Sequence, residues 1–185
     1  DRLGVMYHPR KTIYAKVTYT DIAGLDQDLG KTGLTGELRN KIAPMDAFVH
    51  VVRAFESDHV PHVLGGVDAH RDFERLESDF LLADMIAVET RLERIDERLH
   101  KGARAEERQA LTEDRELFER LQTALAEGTP LRYLGLSPEQ CSELRGYGLL
   151  TLKPTLVLLN CGDDLVDPKS VLEADLPLTE TIALQ

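Results

Sequence analysis

Two short polar motifs in this 185-residue sequence have residue types that could bind a phosphate, a magnesium ion or a nucleobase. The first is Asp21-Ile-Ala-Gly24. An aspartate can hold Mg²⁺ through water, because this small cation keeps most of its hydration shell, and a glycine lets a backbone N–H approach a phosphate closely. The second is Asn160-Cys-Gly-Asp163, whose amide and carboxylate could face the edge of a base. Each motif by itself is also typical of an ordinary turn.

A set of histidines is the next candidate for chemistry. Three of them, with a nearby aspartate, could form a metal cluster, but histidines spaced this way in a loop more often lie on the surface, and no cysteine supports a metal site. His50 lies in an apolar run and is expected to be a hydrogen-bonded core or edge residue. The possible cluster comprises His59, His62, His70 and Asp68.

Arg53 and the two cysteines have similar alternatives. Arg53 follows an apolar run, where a structural ion pair is more typical than a catalytic arginine. Cys141 and Cys161 could form a disulfide, but two cysteines make no disulfide framework, so two thiols are the favoured interpretation.

Composition excludes several classes of function. The chain has 33 acidic and 22 basic residues, a net charge of −11, which argues against coating nucleic acid or an anionic membrane but leaves room for a local basic patch. No run of 18 apolar residues could span a bilayer. The first residues lack the apolar segment of a signal peptide. We therefore expect a cytoplasmic protein with no membrane partner and no specific DNA partner.

Both motifs follow predicted strands. Residues 11–19 alternate polar and apolar side chains with a period of two, which predicts a strand that leads to Asp21. The apolar run 47–52 predicts a strand buried on both faces, and the run 155–159 predicts another buried strand, which ends at Asn160. Strands that alternate with helices indicate a mainly parallel sheet, in which ligands bind at the carboxyl ends of the strands.

The middle of the chain predicts two long helices. Residues 69–100 carry a heptad pattern, Gly102 predicts a break, and residues 105–126 repeat the pattern with Asp114 interrupting one position. A link of a few residues requires the two helices to form an antiparallel hairpin. The pattern also predicts short helices at 36–42, from Ser137-Pro138 onward, and at 167–174. The predicted hairpin core comprises Leu81, Met85, Val88, Leu92, Ile95 and Leu99 against Leu111, Phe118, Leu121 and Leu125.

Longer stretches around these motifs resemble a known family. The strings Val17-Thr-Tyr-Thr-Asp-Ile-Ala-Gly-Leu25 and Asp46-Ala-Phe-Val-His-Val-Val-Arg-Ala-Phe55, then the hairpin, then Leu152-Lys-Pro154 before Asn160, resemble the YchF subfamily of Obg-related P-loop GTPases and ATPases. The resemblance covers about residues 14–163. It implies an α/β fold with a partial, mainly parallel P-loop NTPase-like sheet and an inserted antiparallel helical hairpin, a coiled coil.

The resemblance also implies roles for the two motifs. Asp21 and Gly24 match the segment that senses Mg²⁺ and the γ-phosphate, so Mg²⁺ is the implied cofactor, held by Asp21 through water. Asn160, Cys161 and Asp163 match the base-binding motif, with Cys161 where GTPases have a lysine. Leu25 replaces the catalytic glutamine of Ras-like enzymes, as this subfamily does. Asp163 favours guanine, whereas the family and the missing lysine favour adenine, so ATP and GTP both stay open.

Parts of the family pattern are missing from this sequence. It contains no phosphate-binding loop of the form GxxxxGK[ST], no switch-I segment and no TGS domain. We therefore expect a central piece of a longer protein: the first part of the G domain at 1–68, the hairpin at 69–127 and the second part of the G domain at 128–185. The parent is expected to hydrolyse ATP or GTP in association with the ribosome, and the isolated chain to be inactive.

A different class of function stays open beside this one. The chain could be a non-enzymatic interaction module whose hairpin docks a protein or ribosomal partner and whose nucleotide motifs are vestigial. A ribosome contact would then use local basic residues, because the net charge is negative. The candidates are Arg91, Arg94, Arg98, Lys101 and Arg104.

Overall fold

A three-stranded parallel sheet forms the base of the molecule. The computed structural model describes residues 6, 11, 14–22, 34, 36–62, 65–162, 167 and 179–184. Strands β1 (Phe48–Arg53), β2 (Thr155–Asn160) and β3 (Thr179–Leu184) lie in the order β1-β2-β3. The register pairs Phe48 with Thr155 and Arg53 with Asn160, so β1 and β2 end together. This confirms a mainly parallel α/β sheet.

In the described part of the chain, four helices of more than one turn accompany the sheet, and side-chain caps explain where the second and the fourth begin. They are α1 (Gly36–Ile42), α2 (Ala69–His100), α3 (Ala105–Ala126) and α4 (Pro138–Leu144). The Asp68 carboxylate caps α2 by accepting from Arg71 N at 3.0 Å. Ser137 and Gln140 form a reciprocal capping box at the start of α4. The α3 N-cap residue, Arg104, makes no such side-chain bond.

The helices α2 and α3 form the predicted antiparallel hairpin. Val88 and Leu92 of α2 pack with Phe118, Leu121 and Leu125 of α3, as the heptads indicate. Asp114, which interrupts the apolar pattern, accepts from Arg91 Nη2 at 2.6 Å. The interruption is therefore a position where a charged pair joins the two helices. Beyond α3, 3₁₀ turns at Leu131–Tyr133 and Arg145–Tyr147 flank α4 and close the same core.

The prediction that β1 is buried on both faces is wrong. Val52 is 2% exposed and packs with Phe73 of α2, but Val49 is 47% exposed and Val51 is 60% exposed. An apolar run predicts burial only when both faces of the strand are covered. In the described part of the chain, helix α2 packs on one face of β1.

The first predicted strand also differs. Residues 14–20 lie outside regular secondary structure and are exposed, including Val17 and Tyr19. Alternation supplies a strand with an apolar face, but the strand forms only when a neighbour satisfies its backbone hydrogen bonds. Strand β3 was not predicted, and the helix predicted at 167–174 lies outside the described residues except for Asp167.

Candidate functional site

The carboxyl edge of β1 and β2 carries Asn160. The Ala54 N–H donates to Asn160 O at 2.8 Å, so the chain leaving β1 stays paired with the last residue of β2. Asn160 is exposed. Two residues later Gly162 has φ +66°, and a Cβ there would lie 3.2 Å from Phe55 Cβ. A glycine is therefore required to turn the chain away from β2 beside Phe55.

Arg53 holds the loop that follows β1 over this edge. Its Nε donates to Phe55 O at 2.8 Å and its Nη1 donates to Val60 O at 2.7 Å. The guanidinium also lies 4.7 Å from the centre of the Phe55 ring. Within the described ranges no carboxylate lies at ion-pair distance from Arg53. Its role here is structural, but its partners are backbone carbonyls and not the expected carboxylate.

The residue that follows Asn160, Cys161, has its side chain in the core. Cys161 is 1% exposed and packs with Val52, Phe73 and Leu159. Its thiol lies 3.7 Å from Leu159 O, and both cysteines are free thiols. Among the predicted base-binding residues, Asn160 is thus the one whose described side chain is open to a ligand. Asp163 lies outside the described residues.

The first motif is described only in part. Asp21 is exposed and Gly24 lies outside the described residues. Ile22 packs against the cluster of Ile42, Phe80 and Leu150. The structure therefore anchors the residue after Asp21 to helices α1 and α2, and in the described part of the chain it does not join Asp21 to Asn160 by any hydrogen bond or ion pair.

Asp21 fits a water-mediated Mg²⁺ contact. Its carboxylate is exposed, and Mg²⁺ is usually bound by one or two carboxylates together with substrate phosphates and water. Across the residues that can be described, no group of three His, Cys, Asp or Glu side chains could hold a metal by itself. The histidines have other partners: His62 Nε2 lies 3.0 Å from Asp72 Oδ2, and His70 Nδ1 lies 3.4 Å from Glu74 Oε2.

His50 lies in the layer between the sheet and α2. Its ring stacks on Phe73 at a centroid distance of 5.5 Å. Burial lowers the pKa of His50 from 6.5 to about 4, and the nearby Asp72 carboxylate opposes that change. Among the described residues, no hydrogen-bond partner faces the buried Nδ1 of His50. His50 is therefore neutral at neutral pH, and in this part of the chain the expected hydrogen bond is missing at this nitrogen.

A buried polar cluster between α2 and the segment before β2 was missed by sequence reasoning. Asp84 of α2 is fully buried and accepts from Leu150 N, Thr151 N and Thr151 Oγ1, each at 2.7 Å. Burial raises the pKa of Asp84, and the bonds from Thr151 and Leu150 oppose that rise. These partners are 66 and 67 residues away in the sequence, so no local pattern indicates them. The visible signal was an acidic residue inside an apolar stretch, Leu81-Leu-Ala-Asp-Met-Ile86.

The same cluster includes a buried ion pair. Arg132 Nη2 donates to Glu77 Oε2, and the two residues are 5% and 8% exposed. The backbone N–H of Arg132 donates to Thr151 O at 3.0 Å, and Leu131 N donates to Thr151 Oγ1 at 3.2 Å. Thr151 therefore connects the 3₁₀ turn at 131–133 to helix α2.

This arrangement defines a class of protein. A parallel sheet with an exposed asparagine where β2 ends, and a long helical hairpin inserted between β1 and β2, is a partial P-loop NTPase-like core. No family model matches the sequence. In the described part of the chain, no helix has the length and apolar character needed to cross a bilayer.

Individual relatives give a sharper comparison. The chain is 35% identical over 169 residues to the ribosome-binding ATPase YchF of Bacillus subtilis, across 90% of this chain and 45% of that protein. It is 30% identical to the ribosome-binding ATPase YchF of Haemophilus ducreyi, across 97% of this chain and 48% of that protein. It is 31% identical to the Obg-like ATPase 1 of Schizosaccharomyces pombe, across 88% and 42%.

A solved structure agrees with these relatives. The Schizosaccharomyces pombe YchF GTPase superposes with a TM-score of 0.67 at 31% identity, across 86% of this chain and 43% of that one. The resemblance carried by the sequence motifs is thus confirmed: over about nine tenths of its length the chain matches the YchF subfamily. It spans less than half the length of the curated relatives that it matches.

Proposed function

We propose that this chain is part of a YchF-type NTPase that binds ATP or GTP with Mg²⁺, hydrolyses it in the cytoplasm and acts on the ribosome. The observation that carries the proposal is the match to the solved YchF GTPase, combined with the exposed Asn160 at the carboxyl edge of a parallel sheet. That edge is where parallel α/β sheets bind ligands.

Each motif has a role in this proposal. Asp21 holds Mg²⁺ through water, and Gly24 offers its backbone N–H to the γ-phosphate. When bound, Mg²⁺ neutralises phosphate charge during transfer. Asn160 and Asp163 face the base, while the buried Cys161 supports the turn from below. We propose ATP as the preferred nucleotide on the names of the relatives, with GTP as the alternative that Asp163 favours.

The hairpin is proposed to supply the ribosome contact, and the structure divides its basic residues into two groups. Arg91, Arg98 and Lys101 already have ion-pair partners on the hairpin, at 2.6, 2.5 and 3.0 Å. Arg94 and Arg104 are exposed. An arginine whose charge is not neutralised locally is better able to bind RNA phosphate. Arg94 and Arg104 are therefore favoured as the ribosome contact over the other three residues.

Hydrolysis by the full-length protein tests the proposal. We expect ATP turnover that depends on Mg²⁺, at least about tenfold slower in Asp21→Ala, because positioning of phosphate and metal supplies most of this catalysis. Glu93→Ala, at an exposed carboxylate on α2 away from the sheet edge, is the control and should leave the rate unchanged. Competition of unlabelled ATP and GTP against labelled ATP identifies the preferred base.

The interaction-module alternative makes the opposite prediction. It expects no Mg²⁺-dependent turnover and no nucleotide binding, with ribosome co-sedimentation that is unaffected by nucleotide and lost in Arg94→Ala. If the full-length protein shows this behaviour, the enzymatic proposal is wrong.

The competition experiment also tests the preferred base. A preference for guanine would follow if GTP competed about tenfold better than ATP, a difference that the loss of one buried hydrogen-bond partner can produce.

A further inference from the structure

The segment that leads into β2 is fixed at two places. The Asp84 carboxylate accepts hydrogen bonds from the backbone N–H groups of Leu150 and Thr151 and from the Thr151 hydroxyl. A carboxylate that accepts three hydrogen bonds in a buried site fixes all its partners, because every unmade bond there would leave a desolvated polar group. Helix α2 therefore determines where residues 150–151 lie.

The second attachment is to the turn between α1 and β1. Lys153 Nζ donates to Ala43 O and Met45 O, the two carbonyls that bracket the turn between α1 and β1. Burial lowers the pKa of Lys153, and the nearby Asp46 and Asp84 carboxylates oppose that change. Gly148 packs on the same turn, where a Cβ would lie 3.0 Å from Ala43 Cβ. Residues 148–153 therefore contact both the turn that leads into β1 and helix α2.

We call residues 150–153 the junction. The junction passes directly into β2: Phe48 N donates to Pro154 O at 3.0 Å, and six consecutive pairs then join β1 to β2. Strand β2 also pairs with β3 along its whole length, so it is the central strand of the sheet. A six-residue strand held on both edges is stiff, and it spans about 17 Å from Thr155 to Asn160. The position of the junction is thus transmitted to Asn160.

We propose that Asp84 and Thr151 are positioning residues for base recognition: through the junction and β2 they fix where Asn160 meets the nucleobase. This inference rests on the proposed nucleotide binding at that edge. It assigns no contact with nucleotide to either residue. It predicts that loosening the junction weakens binding through the base and leaves binding through the phosphates unchanged.

A matched pair of substitutions isolates this effect. Thr151→Val keeps the shape of the side chain but removes the hydroxyl that donates to Asp84 and accepts from Leu131 N. Thr151→Ser keeps the hydroxyl. Ile95→Ala is the control for general destabilisation, because Ile95 is fully buried in α2 towards the hairpin tip, away from the junction.

The full-length protein is assayed by displacing a fluorescent ATP analogue with ATP, GTP and inorganic tripolyphosphate, which has phosphates but no base. We expect Thr151→Val to weaken the preferred nucleotide about tenfold and tripolyphosphate less than about twofold. Thr151→Ser and Ile95→Ala should change both ligands less than about twofold. If Thr151→Val does not fold, Lys153→Met replaces it with the same expectation, because it releases the junction from Ala43 and Met45.

The possible outcomes separate this inference from the function on which it rests. A wild-type protein that binds neither nucleotide nor tripolyphosphate would overturn the proposed function and the positioning role together. Wild-type binding with an equal loss of nucleotide and tripolyphosphate in Thr151→Val would overturn the positioning role alone, as would unchanged nucleotide binding or an equal loss in Ile95→Ala.

Discussion

What a charged residue contributes to this structure depends more on its burial than on its type. Asp84 and Asp114 are both aspartates within long helices. Asp84 is fully buried and bound by three donors, whereas Asp114 is partly exposed and pairs with Arg91 between the two helices. The first arrangement contributes to a unique core because it leaves no buried group unmatched, and the second contributes little, because solvent screens partly exposed pairs.

His50 gives a prediction about pH. Its folded-state pKa of about 4 is below the unfolded value of 6.5, so the unfolded chain binds the proton more tightly. The stability that neutral His50 confers is full above about pH 6.5 and is lost as pH falls towards 4. The shift corresponds to about 3 kcal/mol. We expect the free energy of unfolding of wild type minus that of His50→Leu to fall by about this amount between pH 6.5 and 4.

Urea unfolding at a series of pH values measures this difference. His59→Gln is the control, because His59 is exposed in the loop after β1 and its removal should give a difference that does not depend on pH. A flat profile for His50→Leu as well would contradict the burial of its ring against Phe73.

The residue scale also shows what sequence could predict of the site. The types and spacing of Asp21-xx-Gly24 and Asn160-xx-Asp163 indicate phosphate and base chemistry, because such chemistry demands particular groups at short spacing. Neither the inward direction of Cys161 nor the partners of Asp84 could be predicted. Both depend on which distant segment packs beside them, and no local spacing records that.

Secondary-structure elements whose causes are local agree with the sequence most closely. Helices α2 and α3 begin and end where the heptads, Gly102 and the flanking residues predict, because caps and apolar periodicity act within one or two turns. Strands differ, since a strand depends on partners elsewhere in the chain. Residues 14–20 have a strand-like alternation without forming a strand, and β3 forms from a weaker pattern beside β2.

The hairpin core yields a prediction at this scale. Leu92 is 9% exposed and packs in the main cluster, whereas Leu99 near the hairpin tip is only partly buried. Leu92→Ala should therefore lower the free energy of unfolding by about 2–5 kcal/mol, and Leu99→Ala by clearly less, because a cavity costs most where its walls cannot collapse. Urea titration of both variants checks this, and equal losses would contradict the tapering of the core towards the tip.

At the scale of the whole molecule, the chain joins a sheet with one open face to a long charged hairpin. The exposed Val49, Val51 and Ile182 lie on that sheet, while the hairpin carries paired charges such as Arg98 with Glu107. The sequence predicted the parallel α/β class and the hairpin. It could not predict the open face, because an apolar run reads the same whether or not a neighbour covers it.

Catalysis also depends on the whole molecule and not only on the two polar motifs. The 185-residue sequence has no GxxxxGK[ST] segment, and in phosphoryl transfer such a loop and its lysine hold the β- and γ-phosphates. We expect the isolated chain to show no ATP or GTP turnover above a buffer blank in a phosphate-release assay with Mg²⁺. Turnover that exceeds the blank and disappears in Asp21→Ala would contradict this expectation.

The length of α2 carries the hairpin tip far from the buried carboxylate that holds the junction. His100, the last residue of α2, lies sixteen positions beyond Asp84, which is about 24 Å of helix. A change of about 10° in the direction of this outer part of α2 would displace the tip by about 4 Å, while the atoms beside Asp84 moved by a fraction of an ångström. A partner bound at the tip would thus be sensitive to small changes in the angle of the helix.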